Sequence, residues 1–344
     1  MKRIFLTWLF LNNVLSAASE EPARGCSNAG FYAKADFLWW SAQNHGFSYA
    51  FNRTNRVVYE GKILRLPSDW KPGFRVMAGW NTEYYSWDIL LNWTWYLNHT
   101  TQTSQRNGPN IGSLDGFYPL FPLDTGGNIP YRTVEARWRL LYDTGDFEIG
   151  RAFYPVPGVS FRPQWGIRGA WLDQLFSDFF SNEVNVSNIE AAELQFKGKN
   201  SYWGIGPRAG CSAGWDLSHG FSLVGNIAAA LLYGSSEVSF LTNTALFIGG
   251  PLDRYQKYTD EFAQLVPTLQ TMLGFRWGTC FSSDKRYFGV DVSWEGNYWW
   301  NQFNIPIAQT YVSGSLIEPN YPFPTLGNQP VTMEGLTVDL HLNF

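Results

Sequence analysis

The sequence predicts an all-β fold: a transmembrane antiparallel up-and-down β-barrel of about ten strands, with short periplasmic turns and long outer loops. Three observations lead there. Phe, Tyr and Trp make up 18% of the 344 residues, including 17 Trp, against 16% charged residues and a mean hydropathy of −0.22. No internal run approaches the roughly 20 consecutive apolar residues of a membrane-spanning helix. Apolar residues instead recur at every second position through segment after segment, the pattern of strands that meet two different solvents and that a window average does not register.

The first element is an address. "MKRIFLTWLFLNNVLSAASEE" carries Lys2 and Arg3, a largely apolar run from Ile4 to Leu11, and Ser16-Ala17-Ala18 where a signal peptidase reads small residues. We expect a cleaved secretory signal over residues 1–18 and a single barrel domain over residues 19–344, exported to the outer membrane of a Gram-negative cell.

The strands follow in order. "FYAKADFLWW" sets Phe31, Phe37 and Trp39 against Lys34 and Asp36, and "FRVMAGW" sets Phe74, Val76, Ala78 and Trp80 against Arg75. "WDILLNWTWYLN" alternates Trp87, Ile89, Leu91, Trp93, Trp95 and Leu97 with a face that includes Asp88, Asn92 and Thr94. A face of large aromatics opposite a face of Asp, Asn and Thr is the period-2 signature of a strand. In a membrane barrel the polar face looks inward. From Tyr131 to Tyr154, Val134, Ala136, Trp138, Leu140 and Tyr142 oppose Glu135, Arg137, Arg139 and Asp143, until Phe147 and Ile149 take over the apolar face after "DTGD". We read that slip as a β-bulge, because a turn there would make the strand count odd. "SFRPQWGIRGAW" places Arg162 and Arg168 inward, and "YWGIGPRAGCSAGW" places Arg208 there. "FSLVGNIAAALLYG" and "TLQTMLGFRWGTCF" continue the series, the latter with Arg276. In "YFGVDVSWEGNYWW", Asp291 and Glu295 oppose Val290, Val292 and Trp294.

Connections alternate in size. Residues 81–86, 155–158, 216–219 and 282–285 are tight turns. Residues 41–71, 99–130, 173–197, 241–261 and 304–332 are long and hold most of the Pro, Asn and Gly. Short turns at one rim and long loops at the other are the habit of outer-membrane barrels. Ten strands result, with both termini periplasmic. A count of twelve is left open by pairing between "FSYAF" and "NRVVYEGKILRL" inside the first loop.

The last strand is "LTVDLHLNF", with Asp339 and His341 on the inner parity and Phe344 at its end. Lipid would cover its apolar face, and pairing with the first strand would leave no edge in hydrocarbon. A C-terminal aromatic on such a strand is the mark read by the barrel-assembly machinery, which makes Phe344 the expected assembly signal. The blocks "GFYAKADFLWW", "NWTW", "RPQWGIRGAW", "YWGIGPRAG", "LVGNIAAALLYG" and "VSWEGNYWWNQ" resemble, in order, those of the Legionella-type major outer membrane proteins, which have relatives in chlamydia-like bacteria. The resemblance spans the strands and not the long loops. It implies a pore-forming role and assembly into disulfide-linked envelope structures.

Little else in the chain points to chemistry. The net charge of −4 and pI near 5.6 argue against a nucleic-acid partner. Cys26, Cys211 and Cys280 allow one internal bridge at most, and no CxxC or Cys–His cluster suggests a metal. His341 and Asp339 share a face, but no nucleophile motif accompanies them; His45, His99 and His219 share no spacing. We expect no catalysis and no cofactor. The lumen is more informative. Basic residues Arg75, Arg137, Arg139, Arg162, Arg168, Arg208 and Arg276 come mostly from mid-chain strands, whereas Asp36, Asp88, Asp291, Glu295 and Asp339 come mostly from the ends. Opposed arcs of charge would order water and favour small polar solutes. The expected function is therefore a porin for small hydrophilic solutes, and the alternative is a structural or adhesive barrel with surface-binding loops. The partners this allows are further copies of the chain, as a homo-oligomer, and disulfide-linked envelope proteins.

Overall fold

The computed structural model describes residues 30–44, 48–53, 60–82, 86–106, 116–120, 131–182, 193–245, 254–281, 286–303 and 329–344. The expected signal, Cys26 and much of the loops lie outside the described residues. The strands are β1 (Gly30–Asn44), β2 (Ser48–Arg53), β3 (Gly61–Arg65), β4 (Trp70–Asn81), β5 (Trp87–Gln105), β6 (Gly116–Pro119), β7 (Thr133–Arg151), β8 (Phe153–Val156), β9 (Val159–Ser181), β10 (Glu193–Ser218), β11 (Phe221–Ala245), β12 (Arg254–Phe281), β13 (Arg286–Phe303) and β14 (Gln329–Asn343).

Ten of these, β1, β4, β5, β7 and β9 to β14, pair antiparallel in chain order, and β14 returns to β1. The wall is closed, so every strand finds two neighbours for its backbone groups. The short β8 follows β7 and pairs along β9. The pairing expected inside the first loop does form, as β2 with β3, but β6 from the second loop completes a separate three-stranded sheet. The wall therefore has ten strands and not twelve.

Closure rests on the ends. Tyr32 pairs with Asn343 and Ala42 with Met333 in unbroken register. Phe344 N donates to Phe31 O at 3.0 Å, and the two rings stack with centroids 6.2 Å apart. Gly30 makes this approach possible: its φ is 128°, and a Cβ there would sit 2.8 Å from Phe344 O. At the turn end, β10 and β11 are joined through His219 (φ 50°) and Gly220 (φ 89°). Two consecutive positive φ values give the two-residue hairpin turn whose twist matches that of its strands.

The wall is longer than the sequence suggests. The loops expected at residues 173–197 and 241–261 are largely strand, with β9 running to Ser181 and β10 starting at Glu193, and β11 running to Ala245 and β12 starting at Arg254. The expected bulge at "DTGD" is absent. The registers of β7 with β5 and with β9 run through Asp143–Asp146 without a shift. Even-numbered residues of β7 are buried along its whole length. What changes is the solvent on each side: near the turns Asp146 and Glu148 point inward and Phe147 and Ile149 outward, whereas near the loops Val134, Ala136, Trp138, Leu140 and Tyr142 point inward and Glu135, Arg137 and Arg139 outward.

Two levels follow. The turn-side wall presents Phe37, Phe74, Leu91, Trp93, Ile167 and Ile205 to the outside. The loop-side interior is an apolar core that includes Trp40, Tyr96, Trp138, Phe176, Phe196 and Trp299, joined by Tyr49 and Ala50 of β2 and Phe117 of β6. The end of β13 joins it too. Its register breaks between Trp299 and Phe303, Asn301 takes φ 55°, and Gln302 is fully buried. Gln302 O accepts from Gln174 of β9 at 2.7 Å and from Asn200 of β10 at 2.5 Å, on the far wall.

Candidate functional site

The site is the turn-side lumen. Parity brings Lys34 and Asp36 of β1, Arg75 of β4, Asp88 of β5, Arg162 and Arg168 of β9, Arg208 of β10, Arg276 of β12, Asp291 and Glu295 of β13, and Asp339 of β14 onto the inner face. Glu135, Arg137 and Arg139 are not there. They lie on the outer face of loop-side β7, and the Arg137 side chain is 66% exposed while pairing with Glu135. The error has a physical cause. Alternation alone puts the apolar face of β7 against lipid, but at this level apolar side chains fill the barrel and polar ones meet water.

Two inward acids escaped the sequence reading, Asp146 and Glu148. Their signal was legible in the alternation with Phe147 and Ile149. They matter because they stand among the cations: Arg168 Nε and Nη2 donate to Asp146 Oδ1 and Oδ2 at 2.6 and 2.7 Å, and Arg208 Nε donates to Glu148 Oε1 at 2.7 Å. The expected arcs of opposite charge are therefore absent. Each cationic arginine of this lumen faces a carboxylate.

The pairs join into a layer across the bore. Arg75 donates from Nη1 to Asp36 Oδ2 at 3.0 Å, and from Nη2 to Glu295 Oε1, three strands away, at 2.7 Å. Glu295 Oε1 also accepts from Gln270 Nε2 at 2.7 Å, and Gln270 Oε1 accepts from both Arg168 and Arg208 at 3.0 Å. Asn92 Nδ2 also donates to Asp146 Oδ2 at 3.3 Å. Charges this deeply buried persist only when paired and hydrogen-bonded. Bidentate guanidinium forks supply that geometry. Trp40 caps the layer on the loop side, donating from Nε1 to Thr337 Oγ1 at 3.1 Å and lying 5.6 Å from Arg75 Cζ.

Below the layer a cavity of about 500 Å³ reaches the turn end, lined by Tyr32, Lys34, Asp88, Arg162, Arg276 and His341 among others. Arg162 binds Asp88 there, and Arg276 Nε donates to Asp291 Oδ1 at 2.7 Å. One rung carries three acids in a row: Asp36, Asp339 and Asp291 pair across β1, β14 and β13, with Arg75 and Arg276 at its ends. Above the layer, Asn98, Thr100, Asp178 and Gln302 are buried with side-chain polar atoms that have no partner among the described residues. Cys280 is disulfide-bonded, while Cys211, on the outward parity of β10, is free.

A closed, up-and-down antiparallel wall with an apolar exterior and a charged interior defines an outer-membrane β-barrel protein. The chain belongs to the family of the Legionella pneumophila major outer membrane protein precursor, whose model matches residues 23–344. No curated protein sequence matches it. Among solved structures, the outer-membrane protease OmpT from Escherichia coli is similar at 11% identity, covering 95% of this chain and 99% of its own, with a TM-score of 0.45. A Pseudomonas aeruginosa FadL homologue follows at 10% identity, 95% and 93% coverage and a TM-score of 0.29. The P. putida toluene transporter TodX stands at 8% identity, 92% and 91% coverage and a TM-score of 0.24.

Proposed function

We propose that this barrel is an outer-membrane porin for small hydrophilic solutes, with the arginine–carboxylate layer as its selecting level. The chief support is that the bore is crossed by charge and not by hydrocarbon at that level. A barrel needed only as a wall would be at least as stable with apolar side chains there, since buried ion pairs roughly cancel their own desolvation. Balanced charge at the constriction favours small polar and zwitterionic solutes and excludes apolar ones. The polar atoms of Asn98, Thr100 and Gln302, without partners among the described residues, continue a polar route past the aromatic core, where water would satisfy them. No catalytic step and no cofactor belong to this reading. The barrel would be exported by its signal and assembled through recognition of Phe344. A second reading, a closed structural barrel, draws support from the packing of Trp40, Tyr96 and Trp299 across the loop-side bore.

Single-channel recording in a planar bilayer separates them. The porin reading expects small discrete current steps from the wild type. It also expects a severalfold larger conductance when Asp146→Asn and Arg168→Gln are combined, which removes both charges and shortens the side chain at Arg168. Silent membranes across many insertions of both folded proteins would establish the structural barrel instead.

A further inference from the structure

The outer wall carries a basic patch that the lumen does not explain. Register aligns Trp95 of β5, Asp143 of β7, Trp171 of β9 and Trp203 of β10 in one row. Trp93 Nε1 donates to Asp143 Oδ1 at 2.8 Å, so the row is where aromatic rings meet polar surroundings, the interfacial girdle of a membrane barrel. Four residues further toward the loops, Arg139 of β7, Leu175 of β9 and Lys199 of β10 form a row; two residues beyond lie Arg137, Ser177 and Lys197. All four cations are exposed. Arg139, Lys197 and Lys199 have no ion-pair partner among the described residues, and Arg137 keeps most of its side chain exposed while pairing with Glu135. On this outer face Asp173 of β9 and Glu237 of β11 stand one row nearer the girdle, and Asp178 of β9 points inward.

The spacing is that of a built surface. Two strand steps separate β7 from β10, roughly 10 Å, and two residues along a strand are roughly 7 Å, so four positive charges frame a small rectangle. Leu175 stands between Arg139 and Lys199 on one edge of it, 44% exposed. With strands tilted as in barrels of this size, the patch rises roughly 10–15 Å above the girdle. The headgroup region of an ordinary phospholipid is only about 5–8 Å deep, so its single phosphate would lie below most of this charge. A phosphorylated sugar headgroup is deeper and carries more than one phosphate.

We propose that this face of β7, β9 and β10 binds a phosphorylated glycolipid of the outer leaflet, its phosphate esters against Arg137, Arg139, Lys197 and Lys199 and its acyl chains on the aromatic belt below. Guanidinium groups take phosphate oxygens bidentately and ammonium groups add point charges, and both act in a headgroup layer of lower dielectric than water. The assignment is independent of whether the lumen conducts.

The test uses the full chain folded in detergent and bis-phosphorylated lipid A, with its dephosphorylated form as the comparison, read by native mass spectrometry. The phosphorylated form should bind at least tenfold more tightly to the wild type. Arg139→Gln combined with Lys199→Gln should lose that preference while keeping normal heat-modifiable folding, and Lys199→Arg should retain it. Equal binding of the two glycolipids to the wild type overturns the proposal, as does undiminished preference in the double variant. Anionic phosphatidylglycerol binding as tightly as lipid A overturns it too. Should the double variant fail to fold, the comparison of the two glycolipids on the wild type decides alone.

Discussion

The turn-side and loop-side halves of this barrel are built on the same strands with opposite solvents. Along β7, one unbroken parity carries Phe147 and Ile149 against lipid and then Arg139, Arg137 and Glu135 toward water, while the other carries Glu148 and Asp146 into an ionic layer and then Tyr142, Leu140 and Trp138 into an apolar core. The two halves teach that a change of hydrophobic phase need not mean a change of backbone phase. A strand longer than the bilayer leaves the membrane at some level, and the rule for which face is apolar reverses there.

The sharpest way to break the comparison is to substitute adjacent residues on loop-side β7. Trp138 is buried in the interior, so Trp138→Ala should cost about 3–5 kcal/mol, whereas Arg137→Ala should stay within about 0.5 kcal/mol. Denaturant unfolding in detergent measures both, and similar losses would mean that the two faces were not distinct. Next in size is a charge placed on the outer face at two heights of β5. Leu91→Arg lies in the apolar belt and should cost about 2–4 kcal/mol in lipid, while Thr101→Arg, on the same face but above the girdle, should cost about 0–1 kcal/mol. Equal penalties would place the membrane boundary elsewhere. The smallest effect concerns the seam. Removing Phe344 deletes a ring stack and one backbone hydrogen bond, together about 1–3 kcal/mol, and should lower the yield of heat-modifiable protein in outer-membrane fractions. An unchanged yield would show that the seam closes without it.

How much of this was legible in the sequence differs by level. In the turn-side half the alternation alone named the strands and put Asp36, Arg75, Asp88, Arg162, Arg168, Arg208, Arg276, Asp291, Glu295 and Asp339 on the inner face, because there apolar means lipid. Nothing local distinguishes the apolar residues Val134 and Ala136, which line a protein core, from Ile89 and Leu91, which meet lipid. Only the length of the finished strand does, and that length was hidden because the polar outer face near the loops reads as loop. The pairing of charges was likewise out of reach. Arg75 meets Glu295 and Arg168 meets Gln270 across the bore, partners set by the curvature of the closed wall and not by any spacing in the chain.

The seam between β1 and β14 also sets a timetable. Asp36 and Asp339 face each other across some three hundred residues of chain, the kind of distant contact that forms slowly because so much chain must first be ordered. β14 is synthesised after the nine other wall strands, so until it arrives β1 and β13 both present unpaired backbone. Any stalled intermediate then has two adhesive edges in place of none, and export must hold the chain unfolded, or shielded by a chaperone, until the final strand is available to zip the ring shut.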